Sequence, residues 1–140
     1  MSVATPLLLD TCAVIWIAEA QPLSAPATRE LDEAYEAGTD VYVSPITAWE
    51  IGMLISRKRL SLQIEPRLWF RRLFDVLNLR EALIPAEILL GSSFLPGTPP
   101  SDPADRILAA TAREFGYRLV TRDRPLLEYA EQGHIRALAC

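Results

Sequence analysis

Short, strongly apolar runs alternate with longer stretches of helical period along most of this chain, and that alternation leaves few architectures open. "PLLL", ending at Asp10, "VYV" and "YRLVT" have the length and composition of buried strands, and helical patterns lie between and after them. Repeated βα units build a parallel sheet with helices on its faces, so an α/β fold is expected. Helices are read in "TCAVIWIAEA", from about Ala27 to Ala37 with a stop at Gly38, in "ITAWEIGMLIS" behind the N-cap and N1 pair Ser44–Pro45, and in "EPRLWFRRLFDVL". "ALI" reads as a strand and "AEILLGSS" as a short helix. "GTPPSDP" is a loop, "ADRILAATAREFG" a helix closed by Gly116, "RDRP" a turn, "LLEYAEQG" a last helix and "IRALA" an edge strand.

At 140 residues, half of them hydrophobic, the chain can bury one sizeable core, and a single domain over 1–140 is expected. No segment approaches the ~18 uninterrupted apolar residues of a membrane span, and the first residues carry no basic, signal-like region. The cytoplasm is the expected location. Cys12 and Cys140 form neither a disulfide framework nor a CxxC metal motif, so reduced thiols are expected. The net charge of −4 conceals an asymmetry: residues 1–50 hold eight acids and one base, whereas 57–72 hold Arg57, Lys58, Arg59, Arg67, Arg71 and Arg72 against Glu65 alone. That segment either meets phosphates or is a solvated helix face.

Asp10 lies between two of the most apolar runs of the sequence, and both it and Asp123 fall just past the carboxyl ends of apolar strands. Ligands of open α/β sheets bind on that side. Glu50 has Ile46, Thr47, Met53 and Leu54 as its helical neighbours, and Asp105 shares a face with Leu108 and Ala109, so neither has a basic partner within helix reach. Each acid also has an ordinary structural role open to it. Asp10 can cap the helix at Thr11, Thr47 and Glu50 fit a capping box, Asp102 and Asp105 suit N-cap and N3 positions around Pro103, and Asp123 suits a turn. Capping accounts adequately for Asp102, which is left outside the candidate site.

Convergence of the other four would require neutralisation. Two unit charges ~4 Å apart repel by about 1 kcal/mol in water and about 4 kcal/mol near a protein surface. A hard divalent cation resolves this, and an all-oxygen donor set favours Mg²⁺ or Mn²⁺ over zinc. Such ions hydrolyse phosphodiesters by acidifying a water and stabilising charge on phosphorus and the departing oxygen. Lys58 is the only lysine and His134 the only histidine, and no GxSxG occurs, which leaves Walker-type phosphate binding, Schiff-base chemistry, His-rich zinc sites and serine hydrolysis little to build on.

"LLLDTCAVIWI", "VSPITAWEIG", "DPADRILAATA" and "LVTRD" occur in that order, and together they resemble the successive motifs of PIN-domain ribonucleases, specifically the VapC-type toxins of toxin–antitoxin pairs. The resemblance implies a three-layer α/β/α domain whose central, mainly parallel sheet has four to five strands. It places the family's acidic quartet, catalytic and metal-binding, on Asp10, Glu50, Asp105 and Asp123. Hydroxyls that orient carboxylates or waters fall on Thr11 and Thr121, and Ser44 either joins them or only caps. It further implies a Mg²⁺- or Mn²⁺-dependent endoribonuclease, with tRNA a common target class, leaving a 5′-phosphate and a 3′-hydroxyl. A small VapB-like antitoxin that covers the site and a homodimer are the implied partners, with Trp16, Trp49 and Trp69 candidates for the interfaces.

Two departures bear on substrate contact. Many relatives carry a lysine four residues after the Glu, where this chain has Leu54, and a histidine shortly before "DPxDR", where it has Pro100 and Ser101. Arg57, Lys58 or Arg59 are candidate RNA contacts that supply the missing charge. Two other readings compete. A haloacid-dehalogenase-like phosphatase would use Asp10 as nucleophile, but its second acid would stand at Cys12. A non-catalytic module, receiver-like or acidic and metal-binding, would engage a protein partner, but a receiver would want a lysine on the last strand, and "IRALA" has none.

Overall fold

The computed structural model describes residues 5–140. Five strands, Leu7–Leu9 (β1), Val41–Val43 (β2), Arg80–Glu81 (β3), Arg118–Thr121 (β4) and Arg136–Ala139 (β5), form one sheet in the order β3-β2-β1-β4-β5. Every neighbouring pair is parallel, with Leu8 opposite Tyr42 on one side and Leu119 on the other. The chain runs outward from β1 to β3 and then returns to β1's other flank. Between β1 and β4, therefore, lies the reversal of strand order beside which α/β proteins bind ligands.

Side-chain alternation along the strands separates two apolar layers. Leu7, Leu9, Val41, Val43, Val120 and Leu138 meet helices Thr11–Ala18 (α1), Ala25–Ala37 (α2), Pro45–Ser56 (α3) and Pro66–Leu77 (α4). Leu8 and Leu119 point the other way, against Pro103–Phe115 (α6) and Arg124–Glu131 (α7), beside the short helix Ala86–Gly91 (α5). The result is the three-layer α/β/α arrangement expected from the motifs. Among the described residues no helix is long and apolar enough to cross a membrane, and both cysteines are free thiols.

Local chemistry accounts for the element ends. Ser44 accepts from Ile46 N at 3.1 Å with Pro45 in the first turn, and Gly38 and Gly116 close α2 and α6 at φ 69° and 72°. Three expectations are corrected. The third strand is Arg80–Glu81 rather than "ALI": after Ala82 N bonds to Val43 O, Leu83 turns out to solvent and Pro85, which has no N–H to donate, leads into α5. "RDRP" is not a separate turn, because Asp123 caps α7 and Arg124–Pro125 form its first turn. Thr47 does not cap α3; it lies inside the helix, fully buried.

The segment between α5 and α6 is tied down from several directions. Arg106 donates through Nε to Ser92 O (3.0 Å) and through Nη1 to Pro100 O (2.8 Å), Tyr129 OH donates to Pro96 O (2.6 Å), and Thr98 N donates to Gln132 Oε1 (3.0 Å). Gly97 occupies this segment at φ 68°, and a Cβ there would collide with the His134 imidazole and crowd Gln132 Oε1. Gly97→Ala is expected to cost about 1–2 kcal/mol through the backbone alone, with a further loss as Gln132 is displaced, read as a lower denaturation midpoint.

Candidate active site

Four separate stretches of chain bring carboxylates to one cavity of about 480 Å³: Asp10 follows β1, Glu50 projects from α3, Asp105 from the first turn of α6, and Asp123 follows β4. Asp102, excluded on sequence grounds, lines the same cavity while also capping α6, its Oδ2 accepting from Asp105 N at 3.0 Å. A signal for it existed in the sequence, since a residue three before Asp105 at a helix start lies within one turn of it. A larger groove of about 980 Å³ runs along α2 and β5 and contains none of the four acids. The smaller cavity is the candidate site because it lies at the strand-order reversal and gathers the titratable groups.

Each acid is held by the hydrogen bonds its position offers. Asp10, only 6% exposed, accepts at Oδ1 from Cys12 N (2.8 Å), capping α1, and at Oδ2 from the fully buried Thr121 hydroxyl. The same Thr121 oxygen accepts from Asp123 N at 3.0 Å, and Asp123 Oδ2 caps α7 by accepting from Leu126 N at 3.2 Å. Thr11 donates to Glu50 Oε1 at 2.6 Å and stands 3.1 Å from the Thr47 hydroxyl. Thr11 and Thr121 therefore touch acids directly, whereas the bonds of Ser44 are those of a cap. Capping and site-forming roles coincide at Asp10 and Asp123.

Burial and mutual repulsion show in the titration of the group. Asp10 is pushed above its ordinary range chiefly by burial, with the bonds from Thr121 and Cys12 N opposing and Asp123 adding to it. Glu50 is raised by burial first, against the bond from Thr11, with Asp10, Asp102 and Asp123 adding. Asp105 goes furthest, to about 8, through burial and then the fields of Asp123, Asp102, Asp10 and Glu50. Among the described residues none of the four forms an ion pair. No three Asp, Glu, His or Cys side chains among them are drawn tightly enough to hold a metal ion as they stand. The donor chemistry fits a hard cation nonetheless: the charged groups of the wall are all carboxylates, from Asp10, Glu50, Asp102, Asp105 and Asp123, and the one thiol there, Cys12, is pushed up to about 12.

Thr121→Val tests this arrangement by removing the donor to Asp10 at nearly constant volume. A stability loss of about 1–3 kcal/mol in urea unfolding is expected, with Thr121→Ser restoring most of it.

The candidate RNA contacts Arg57, Lys58 and Arg59 lie exposed where α3 ends, beyond Leu54 on the cavity wall. On α4, Arg71 and Arg72 are exposed while Trp69, Phe70, Leu73 and Phe74 turn toward the core, so this part of the basic stretch is the outer face of an amphipathic helix. Of the three tryptophans only Trp49, 54% exposed, presents most of its ring to solvent. Sequence reasoning passed over Leu83, Leu90 and Phe94, which in and around α5 are 70%, 68% and 83% exposed.

Comparison with known proteins is consistent across most of the chain. Residues 7–132 match the PIN domain family. Ribonuclease VapC22 of Mycobacterium tuberculosis is 37% identical over 123 residues, covering 87% of this chain and 90% of that protein. Among solved structures, VapBC2 from Rickettsia felis, bound to a DNA fragment from its promoter, superposes with a TM-score of 0.71 at 12% identity over 96% of this chain and 98% of the other. FitAcB from Neisseria gonorrhoeae gives 0.52 at 23% identity, over 94% and 96%. At those identities the two structures speak for the fold.

Proposed function

Because this chain belongs to the PIN-domain family of VapC-type ribonucleases, we propose that it is the toxin of a toxin–antitoxin pair, an endoribonuclease that hydrolyses RNA phosphodiesters at the acidic cavity. The observation that carries this reading is the gathering of Asp10, Glu50, Asp105 and Asp123, from positions far apart in sequence, around one cavity where they repel each other without an ion-pair partner among the described residues. Those four residues would hold Mg²⁺ or Mn²⁺. When bound, the cation supplies a Lewis acid that acidifies water and offsets charge on the attacked phosphate.

The chain's own groups prepare the site. Thr121 and Cys12 N fix both oxygens of Asp10, and Thr11 aligns Glu50, so that two of the four carboxylates present set lone pairs to the cavity. The loop carrying Pro100, Ser101 and Asp102 closes one wall and is kept there by Arg106. Asp105 retains a proton near neutral pH in the metal-free site, which limits the unbalanced charge. We propose one PIN domain over 1–140, a cytoplasmic location, cleavage leaving a 5′-phosphate and a 3′-hydroxyl, a VapB-like antitoxin and a homodimer. The exposed side chains of Trp49, Leu83, Leu90 and Phe94 support protein partners.

The competing readings meet specific obstacles. A phosphatase using Asp10 would need an acid at Cys12, whose thiol, pushed up to about 12, is far too weak a proton donor. A receiver-like module would have the strand order 2-1-3-4-5, whereas the sheet here runs β3-β2-β1-β4-β5. The test is incubation of purified protein with total RNA. Cleavage that needs Mg²⁺ or Mn²⁺ and stops with EDTA is expected. Intact RNA under those conditions, or phosphate release from small phosphomonoesters instead, would overturn the reading.

A further inference from the structure

An acidic cavity repels the polyanion it is proposed to cut, so RNA must be drawn in by cations at the rim. Arg106, which shares α6 with Asp105, is committed elsewhere: it holds the carbonyls of Ser92 and Pro100. Arg57, Lys58 and Arg59 are exposed without a contact that fixes them. Arg122 is different. It lies between Thr121 and Asp123, its guanidinium sits 3.6 Å from the centre of the Trp16 ring, and one nitrogen, Nη2, donates to Cys140 O at 2.7 Å. The side chain is exposed and forms no ion pair with an Asp or Glu among the described residues. Trp16 stands one helical turn beyond Cys12, which lines the cavity and whose thiol is in reach of the Arg122 backbone.

Stacking on an indole, the bond to Cys140 O and a further contact to the Cys140 thiol fix the plane of the guanidinium, while the side chain as a whole stays exposed, so that N–H groups beyond those two contacts can meet an anion. A donor fixed in advance loses little freedom when it captures an anion. We propose that Arg122, held by Trp16 and the Cys140 carbonyl, is the phosphate clamp of this site: it binds a backbone phosphate of the RNA next to the bond that is cut and so positions the strand over the acids. The proposal rests on the ribonuclease reading and deepens it by naming a substrate-holding residue outside the acidic quartet.

The probe is a short fluorescein-labelled single-stranded RNA of mixed sequence, followed by anisotropy in EDTA over a range of salt, where no strand is cut. Arg122→Gln is expected to weaken binding about tenfold and to reduce the slope of log affinity against log salt by about 0.7, the contribution of one phosphate on a single strand. Arg122→Lys keeps the charge and the native slope but loses affinity, because an ammonium neither stacks nor forks. Trp16→Leu frees the guanidinium and costs about threefold, with the slope retained. In Mn²⁺-dependent cleavage of total RNA, Arg122→Gln should raise KM and leave kcat near native. Native affinity and slope in Arg122→Gln, with only a lower melting temperature, would reduce the residue to a tie for Cys140 and overturn the clamp alone. Native affinity in Arg122→Lys would overturn the role given to the stacked geometry. If the native protein neither binds nor cuts RNA, the ribonuclease reading falls and the clamp falls with it.

Discussion

Asp10→Asn is expected to lower metal-dependent RNA cleavage by at least ~100-fold while leaving the metal-free protein as stable as the native one, or more so. The two halves of this prediction have separate causes. Asparagine still caps α1, because its side-chain oxygen accepts from Cys12 N as the carboxylate does, and its amide nitrogen, standing where Oδ2 accepted from Thr121, donates to that hydroxyl oxygen instead. It also removes a buried charge that raises the pKa of Glu50 and Asp105. What it forfeits is an anionic oxygen at the centre of the proposed cation site. Asp10→Ala makes the contrast, since it loses the cap and orphans the buried Thr121 hydroxyl, so it should fail in both assays. Thermal melts in EDTA beside cleavage assays separate the two effects; an asparagine variant that cuts RNA at the native rate would remove Asp10 from the site.

The second large effect is on stability against pH. Asp105 titrates near 8 in the folded protein against an ordinary value of 3.8, so between those limits the folded state carries a proton that the unfolded chain has released. Stability then falls as pH rises, the reverse of the trend for a salt-bridged carboxylate. The metal-free protein should therefore melt progressively lower from about pH 4 to about pH 8, and Asp105→Asn should flatten most of that slope. Saturating Mg²⁺ or Mn²⁺ should raise the melting temperature most at the alkaline end, where the carboxylates it must meet are ionised. A native protein whose metal-free stability rises over the same range would contradict the account of Asp105.

Much of this architecture was readable from local chemistry. "VYV" and "YRLVT" declared themselves as strands through β-branched and apolar residues bounded by breakers, and Ser44–Pro45, Gly38 and Gly116 marked helix ends because each satisfies a local backbone need. The four acids were conspicuous because each stood among apolar neighbours or just past a strand, and the structure brings them to a single cavity. The misread features depend on distant partners. β3 is set by what Val43 O can accept and by where Pro85 pulls the chain away, which no window around Ala82 reveals. Thr47 and Glu50 have the spacing of a capping box, yet Glu50 is held by Thr11, thirty-nine positions away in sequence. The stack of Arg122 on Trp16 had no sequence signature at all, since either residue alone reads as surface charge or core.

The strand order has a consequence for synthesis. β1, which carries Asp10, is completed in the sheet only when β4 arrives to pair Leu9 with Val120 and to bring up Thr121 and Asp123. A nascent chain emerging from the ribosome lacks one flank of its central strand, the hydroxyl that fixes its first acid and the last member of the quartet until most of the polypeptide has been made. Fragments released by stalled translation are thus expected to be harmless to the cell that makes them.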